Sequence, residues 1–150
     1  MSLSETDKAY LAGLFDGDGS VSITKVDFRK RKTGACNYFE YKLQVVRAQS
    51  DIAFLTHWKD ETHLGKVYLK GKVGDCGQSR SAYKKPHYNW RMSTKQAEDF
   101  LKLVKDHVIL KREQVDLALK LREDMKLKDS KVNEENYQEF KESKQRFRKG

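Results

Sequence analysis

Proline occurs once in these 150 residues and cysteine only twice, and each scarcity removes a class of protein. Cys36 and Cys76 stand apart, in no Cys-x-x-Cys pair and at no zinc-finger spacing from any of the four histidines. Two reduced thiols are therefore expected, with neither a disulfide scaffold nor a structural zinc site. No stretch approaches the roughly 18 apolar residues of a membrane span, and the opening MSLSETDKAY has no basic-then-apolar leader pattern. The expectation is a soluble, intracellular protein without a signal peptide. Apolar residues make up only 37% of the chain, which implies a thin core or one shared with another chain. No repeat or low-complexity linker divides the sequence, so one domain over 1–150 is expected. Acidic residues are also in short supply: 22 Asp and Glu face 31 Lys and Arg, for a net charge of +9. A polyanionic partner follows from electrostatics, with nucleic acid ahead of an anionic membrane.

What is present alternates between helix and strand. Ser4 is placed to cap a helix from about Asp7, ended by Gly17 and Gly19. In the strand VSITKV, Val21 and Ile23 fall on one face, with Ser22 and Thr24 on the other. A second strand, Tyr38 to Gln49, sets Phe39, Tyr41, Leu43 and Val45 against Tyr38, Glu40, Lys42 and Gln44. Ser50 then predicts a cap for a helix that turns Ile52, Leu55 and Trp58 inward. KVYLKGK reads as a strand exposing Lys66, Tyr68 and Lys70, and a glycine-rich loop with Pro86 leads to YNWRMS, where Asn89, Arg91 and Ser93 alternate with Tyr88, Trp90 and Met92. Ser93 and Gln96 have capping-box spacing ahead of a helix with Ala97, Phe100, Leu101 and Val104 inward. Another helix is predicted from about Leu110 to Met125, then a weakly packed, charged one near Glu134 to Arg148. The resulting antiparallel sheet has one apolar face and one of lysines, arginines, amides and hydroxyls, which is either a solvated surface or one suited to the major groove of DNA.

LAGLFDGDG, positions 11–19, is the most unusual segment. Ala9, Gly13 and Gly17 recur every four residues and form a small-residue stripe that permits a second helix to approach closely. Asp16 and Asp18 end that helix where its dipole is already negative, an arrangement a divalent cation relieves. A tight turn into a strand, with Asp favoured for local hydrogen bonds, is the alternative. An EF-hand loop is excluded, because Val21 occupies the position that needs glycine and a strand follows.

The segment resembles the LAGLIDADG signature of the homing endonucleases, differing at Phe15 and Gly17. The resemblance implies an α+β fold: an αββαββα core over about 5–127, a saddle-shaped antiparallel sheet as the DNA-binding face, and extra C-terminal helices, with 128–150 as a charged tail. A single motif implies a homodimer through Ala9, Gly13 and Gly17. It further implies Mg²⁺ held by Asp18 and the Gly17 carbonyl, with Ca²⁺ binding without supporting cleavage, and Asp16 in a structural role. Lys111, in a Lys-x-x-Gln setting with Gln114, matches the family's basic residue. At the end of the second strand, where the family has a polar residue that is often glutamine, this chain has Arg47, with Gln49 two residues on; these complete the implied catalytic set. The implied partner is double-stranded DNA, read by Ser22, Thr24, Tyr38, Glu40, Lys42, Gln44, Tyr68, Lys70, Asn89 and Arg91, with Arg29, Lys30, Arg31 and Lys32 on phosphates. No small-molecule substrate is expected. The implied reaction is a staggered double-strand break at a long, roughly palindromic site, and a non-cleaving RNA maturase or DNA-binding module is the alternative. The family's hosts imply the cytoplasm of a prokaryote or phage-infected cell, or an organelle.

Overall fold

The computed structural model describes residues 3–27, 39–71, 86–126 and 130–149. Their order is α1 (Glu5–Asp18), β1 (Gly19–Asp27), β2 (Phe39–Gln49), α2 (Ile52–Thr62), β3 (Lys66–Gly71), β4 (His87–Ser93), α3 (Lys95–Val104), α4 (Arg112–Met125) and α5 (Ser130–Lys149). This is an αββαββα arrangement followed by two further helices. The four strands form one antiparallel sheet in the order β1-β2-β4-β3.

The period-two pattern decides which face is buried. Val21, Ile23, Leu43, Val45, Trp90 and Met92 turn toward the helices and are buried. Against them lie Leu11, Ala12 and Phe15 of α1, Leu55 and Trp58 of α2, and Ala97, Phe100, Leu101 and Val104 of α3. Phe100 joins two elements edge to face, its ring centroid 6.0 Å from Phe15 and 5.7 Å from Trp90. The Trp90 indole N–H is satisfied by the Leu64 carbonyl at 2.9 Å. Glu98, buried on α3, accepts from Lys102 and from Arg122 of α4. Burial pushes its carboxyl up, but these cations outweigh that and hold it below the usual carboxylate value.

Several local expectations are corrected. Ser4 does cap α1, in a reciprocal box with Asp7, but the helix begins at Glu5. Asp51, not Ser50, caps α2, its carboxylate accepting from the Phe54 amide at 3.1 Å. Ser50 instead gives its amide to the Gln49 side chain. Ile52, in the first turn of α2, is 47% exposed rather than inward. No Ser93 box opens α3. Its cap position is Thr94, at φ 55° without a side-chain bond, and the Thr94 amide donates to the Leu43 carbonyl at 2.8 Å. The C-terminal helix is longer and better seated than its charge suggested, burying Asn136, Phe140 and Ser143. Tyr38 and 29–32 lie outside the described residues, as do the side chains of Glu40, Lys42 and Lys70.

The turn between α2 and β3 depends on Gly65, whose φ is +76° and where a Cβ would stand 2.7 Å from the Arg91 carbonyl oxygen. Gly65→Ala is expected to cost about 1–3 kcal/mol. Urea unfolding checks this as a lowered midpoint at unchanged slope.

Candidate active site and nucleic-acid interface

Helix α1 runs without a loop into β1, and Gly19 makes that junction. A Cβ there would sit 2.6 Å from the Phe15 ring and 2.9 Å from the Phe15 Cα. The two aspartates flanking Gly17 consequently point to different surroundings. Asp16 reaches α4: its Oδ2 accepts from the amides of Ile109 at 2.7 Å and Leu110 at 3.1 Å, and its Oδ1 from that of Lys111 at 3.1 Å. It thereby supplies acceptors just ahead of α4, where backbone donors have no intrahelical partner.

Lys111 returns the contact. Its Nζ donates to the carbonyls of Phe15 and Asp16 at 3.0 Å each and of Gly19 at 2.5 Å, at the negative end of α1. Burial lowers the Lys111 pKa; the Asp16 and Asp18 carboxylates oppose that, and Arg47 adds to it. Gln114, its partner in the spacing, is buried. The like charges that looked unfavourable in the sequence are thus separated, since Asp16 is consumed by α4 amides and Lys111 answers the α1 carbonyls.

Asp18 remains, with a side chain 68% exposed. The β1–β2 register sets Gly19 opposite Arg47, which brings the Arg47 Nη1 to 3.2 Å from Asp18 Oδ2. Arg47 is buried on the helix-facing side of the sheet, where Nη1 also donates to the Ala48 carbonyl at 2.7 Å and Nε has no partner. Gln49 lies further along that side, with its Oε1 taken by the Ser50 amide at 2.8 Å. No three His, Cys, Asp or Glu side chains converge among the described residues. At this junction Asp18 is the carboxylate left largely exposed.

Ala9, Gly13 and Gly17 are all exposed along α1, on the side away from Leu11, Ala12 and Phe15. A Cβ built at Gly13 or Gly17 meets nothing within 4 Å. Among the described residues of one chain, packing places no demand on either glycine.

The solvent face of the sheet is continuous. Cross-strand pairs join Ser22 to Gln44 to Ser93, Ser20 to Val46 to Arg91 to Lys66, and Ala48 to Asn89 to Tyr68. Thr24, Lys66, Tyr68, Arg91 and Ser93 are exposed, while Ser22, Gln44 and Asn89 are half-buried. The Asn89 Oδ1 is buried without a partner, and the Arg91 guanidinium lies 5.9 Å from the Tyr68 ring centroid. Ser20 and Lys66 belong to this face too. Sequence reasoning left them out as contacts, although strand alternation places both there.

A family profile described as LAGLIDADG endonuclease matches residues 11–105. No curated protein matches the sequence. Among solved structures, the chain is similar to the archaeal intron-encoded homing endonuclease I-Vdi141I in complex with DNA, at 16% identity and TM-score 0.67 over 92% of this chain and 84% of that one. It is also similar to the homing endonuclease I-CvuI bound to a DNA target, at 16% identity and TM-score 0.60 over 79% of this chain and 67% of that one. For the group I intron-encoded I-CeuI in complex with DNA the values are 14%, 0.60, 84% and 58%. Against I-SmaMI bound to DNA the chain spans 42% of the other's length. No described helix is long and apolar enough to cross a membrane.

The reciprocal Asp16–Lys111 contacts yield a stability prediction. Asp16→Ala removes an acceptor from three amides and is expected to cost about 1–3 kcal/mol. Asp18→Asn, which keeps an oxygen acceptor for the buried Arg47 guanidinium, should stay within about 1 kcal/mol. Denaturant midpoints measured side by side check the contrast.

Proposed function

The chain belongs to the LAGLIDADG endonuclease family, and from that premise we propose that it is a site-specific homing endonuclease cutting both strands of a DNA duplex as a homodimer. The observation that carries this is the pairing of an open small-residue stripe with an unconsumed carboxylate at its end. Gly13 and Gly17 cost helix stability, about 1 kcal/mol each against Ala. No neighbour within the chain requires them. A second copy of α1 crossing at this stripe supplies the missing reason, and a two-fold axis there brings the two Asp18 side chains together.

Two carboxylates and two glycine carbonyls from such a pair suit Mg²⁺, and Ca²⁺ by the same hard-oxygen chemistry. When bound there, Mg²⁺ supplies charge neutralisation at the scissile phosphate and lowers the pKa of a water for in-line attack. The chain's own residues do the rest. Arg47 holds the Asp18 carboxylate in place through its Nη1, from the buried side of the sheet, a charge-paired role unlike that of an amide orienting water. Lys111 has its ammonium hydrogens on carbonyls, so it acts on the reacting phosphate through its charge and through the position of the α1 terminus. Ser22, Thr24, Gln44, Tyr68, Asn89 and Arg91, joined by Lys66, meet the base edges of a duplex laid on the sheet. Strands offset across the two-fold axis give the staggered break.

Selection from a randomised duplex library in Mg²⁺ tests this reading. Wild type is expected to cut a roughly two-fold-symmetric site, and Asp18→Asn to bind that site while cutting at least about 10²-fold more slowly. Binding by both proteins with cutting by neither replaces the nuclease with a non-cleaving binder. Gly13→Leu should keep the helical circular dichroism yet sediment as a monomer and lose cleavage, since its side chain fits one chain but obstructs two. A Gly13→Leu protein that sediments as a dimer and cuts removes the α1 interface.

A further inference from the structure

β1 is an edge strand of the sheet, and α5 lies beside it. The first half of α5 is tied down by opposite charges, with the Lys25 Nζ 2.7 Å from the Glu134 carboxylate. The second half differs. Tyr137, Lys141, Lys144 and Arg148 recur at spacings of four, three and four and so share one side of the helix. Across from them stand Ser22 and Ile23, enclosing a groove of about 230 Å³. Ser22 also belongs to the solvent face of the sheet, so the groove continues that face around the β1 edge.

The charge in this groove is of one sign. Lys144 is half-buried, its Nζ donating to the Val21 carbonyl at 2.8 Å and lying 5.7 Å from the Phe140 ring centroid. Burial lowers its pKa, and the charged groups acting on it, Arg148 and Lys111, are both cations and lower it further. Lys141 rests on the Tyr137 ring at 5.5 Å, a neutral partner. Glu135, Glu139 and Glu142 fall on other sides of α5 at 100° per residue, and Arg146 is already taken by Glu113. Gathering three cations beside a desolvated wall costs stability unless an anion joins them.

We propose that this groove is a binding site for the sugar–phosphate backbone of duplex DNA, extending the footprint of the sheet onto α5. Lys141 to Arg148 spans about 10 Å along the helix axis, room for roughly two or three successive phosphates of one strand. Lys144 and Arg148 grip the backbone while Ser22 stays within reach of the adjoining nucleotide. The proposal rests on the reading that the sheet binds DNA.

The test is fluorescence anisotropy of a mixed-sequence duplex titrated with the full chain over a series of KCl concentrations, a regime dominated by phosphate contacts. Lys141→Gln combined with Arg148→Gln changes two exposed side chains. It is expected to lower the log–log salt slope by about 0.9 for each phosphate contact removed. Lys95→Gln combined with Lys105→Gln, equally exposed but on the helical layer, removes the same charge and should leave the slope unchanged. Equal slopes for the groove variant and wild type overturn the proposal, as do equal losses in the groove and control variants. Should Arg91→Gln weaken binding while the groove variant does not, the groove fails and the reading of the sheet stands. Failure of the wild type to bind any duplex at low salt overturns both.

Discussion

Two side chains exchanged between α1 and the start of α4 position the candidate site. Asp16 gives its carboxylate to three amides ahead of α4, and Lys111 gives its ammonium to three carbonyls around the end of α1. Each charge meets backbone groups at or beside a helix end, Lys111 from a part-buried position and Asp16 largely at the surface. Both helix ends are thereby fastened beside the α1–β1 junction. Asp18 is held at the rim between the stripe on α1 and the sheet.

This arrangement separates an engaged carboxylate from an exposed one within three residues. Asp16 accepts from three backbone amides, whereas Asp18, among the described residues, pairs with Arg47 and is otherwise exposed. Arg47 comes from the buried side of β2, so the counter-charge rises from the core while Asp18 stays open to a partner. Asp18 is thus charge-paired yet exposed. The surrounding excess of basic residues follows the same logic at longer range, with cations left on the sheet face and on α5 where acids pair them elsewhere.

Much of the fold was legible because it rests on periodicity. Alternation identified the strands, and the inward side of α3 was readable from Ala97, Phe100, Leu101 and Val104, all buried. Caps were less legible. Ser50 and Asp51 are both good cap residues one position apart, and the choice fell to Asp51 because the Gln49 side chain claims the Ser50 amide. The start of α3 falls on Thr94 rather than Ser93, with β4 running on through Ser93 and the Thr94 amide bonded to the Leu43 carbonyl. The seating of α5 was hidden by its high charge. Burial of Phe140 needs only one side of a helix, and the Lys144 bond to Val21 crosses 123 positions of sequence.

The sequence by itself determined the family signature, the alternation of elements, the polar and apolar faces of the sheet and the excess of positive charge, because each depends on residue type at local spacing. It also marked Gly13 and Gly17 as a stripe and Asp16 and Asp18 as a pair. Only the tertiary structure decided which aspartate is spent and which is open, that Arg47 faces Asp18 and that Lys111 closes α1. Those outcomes turn on groups some 30 to 95 positions apart meeting at one junction, and no local spacing encodes which backbone amides a distant helix will leave unsatisfied.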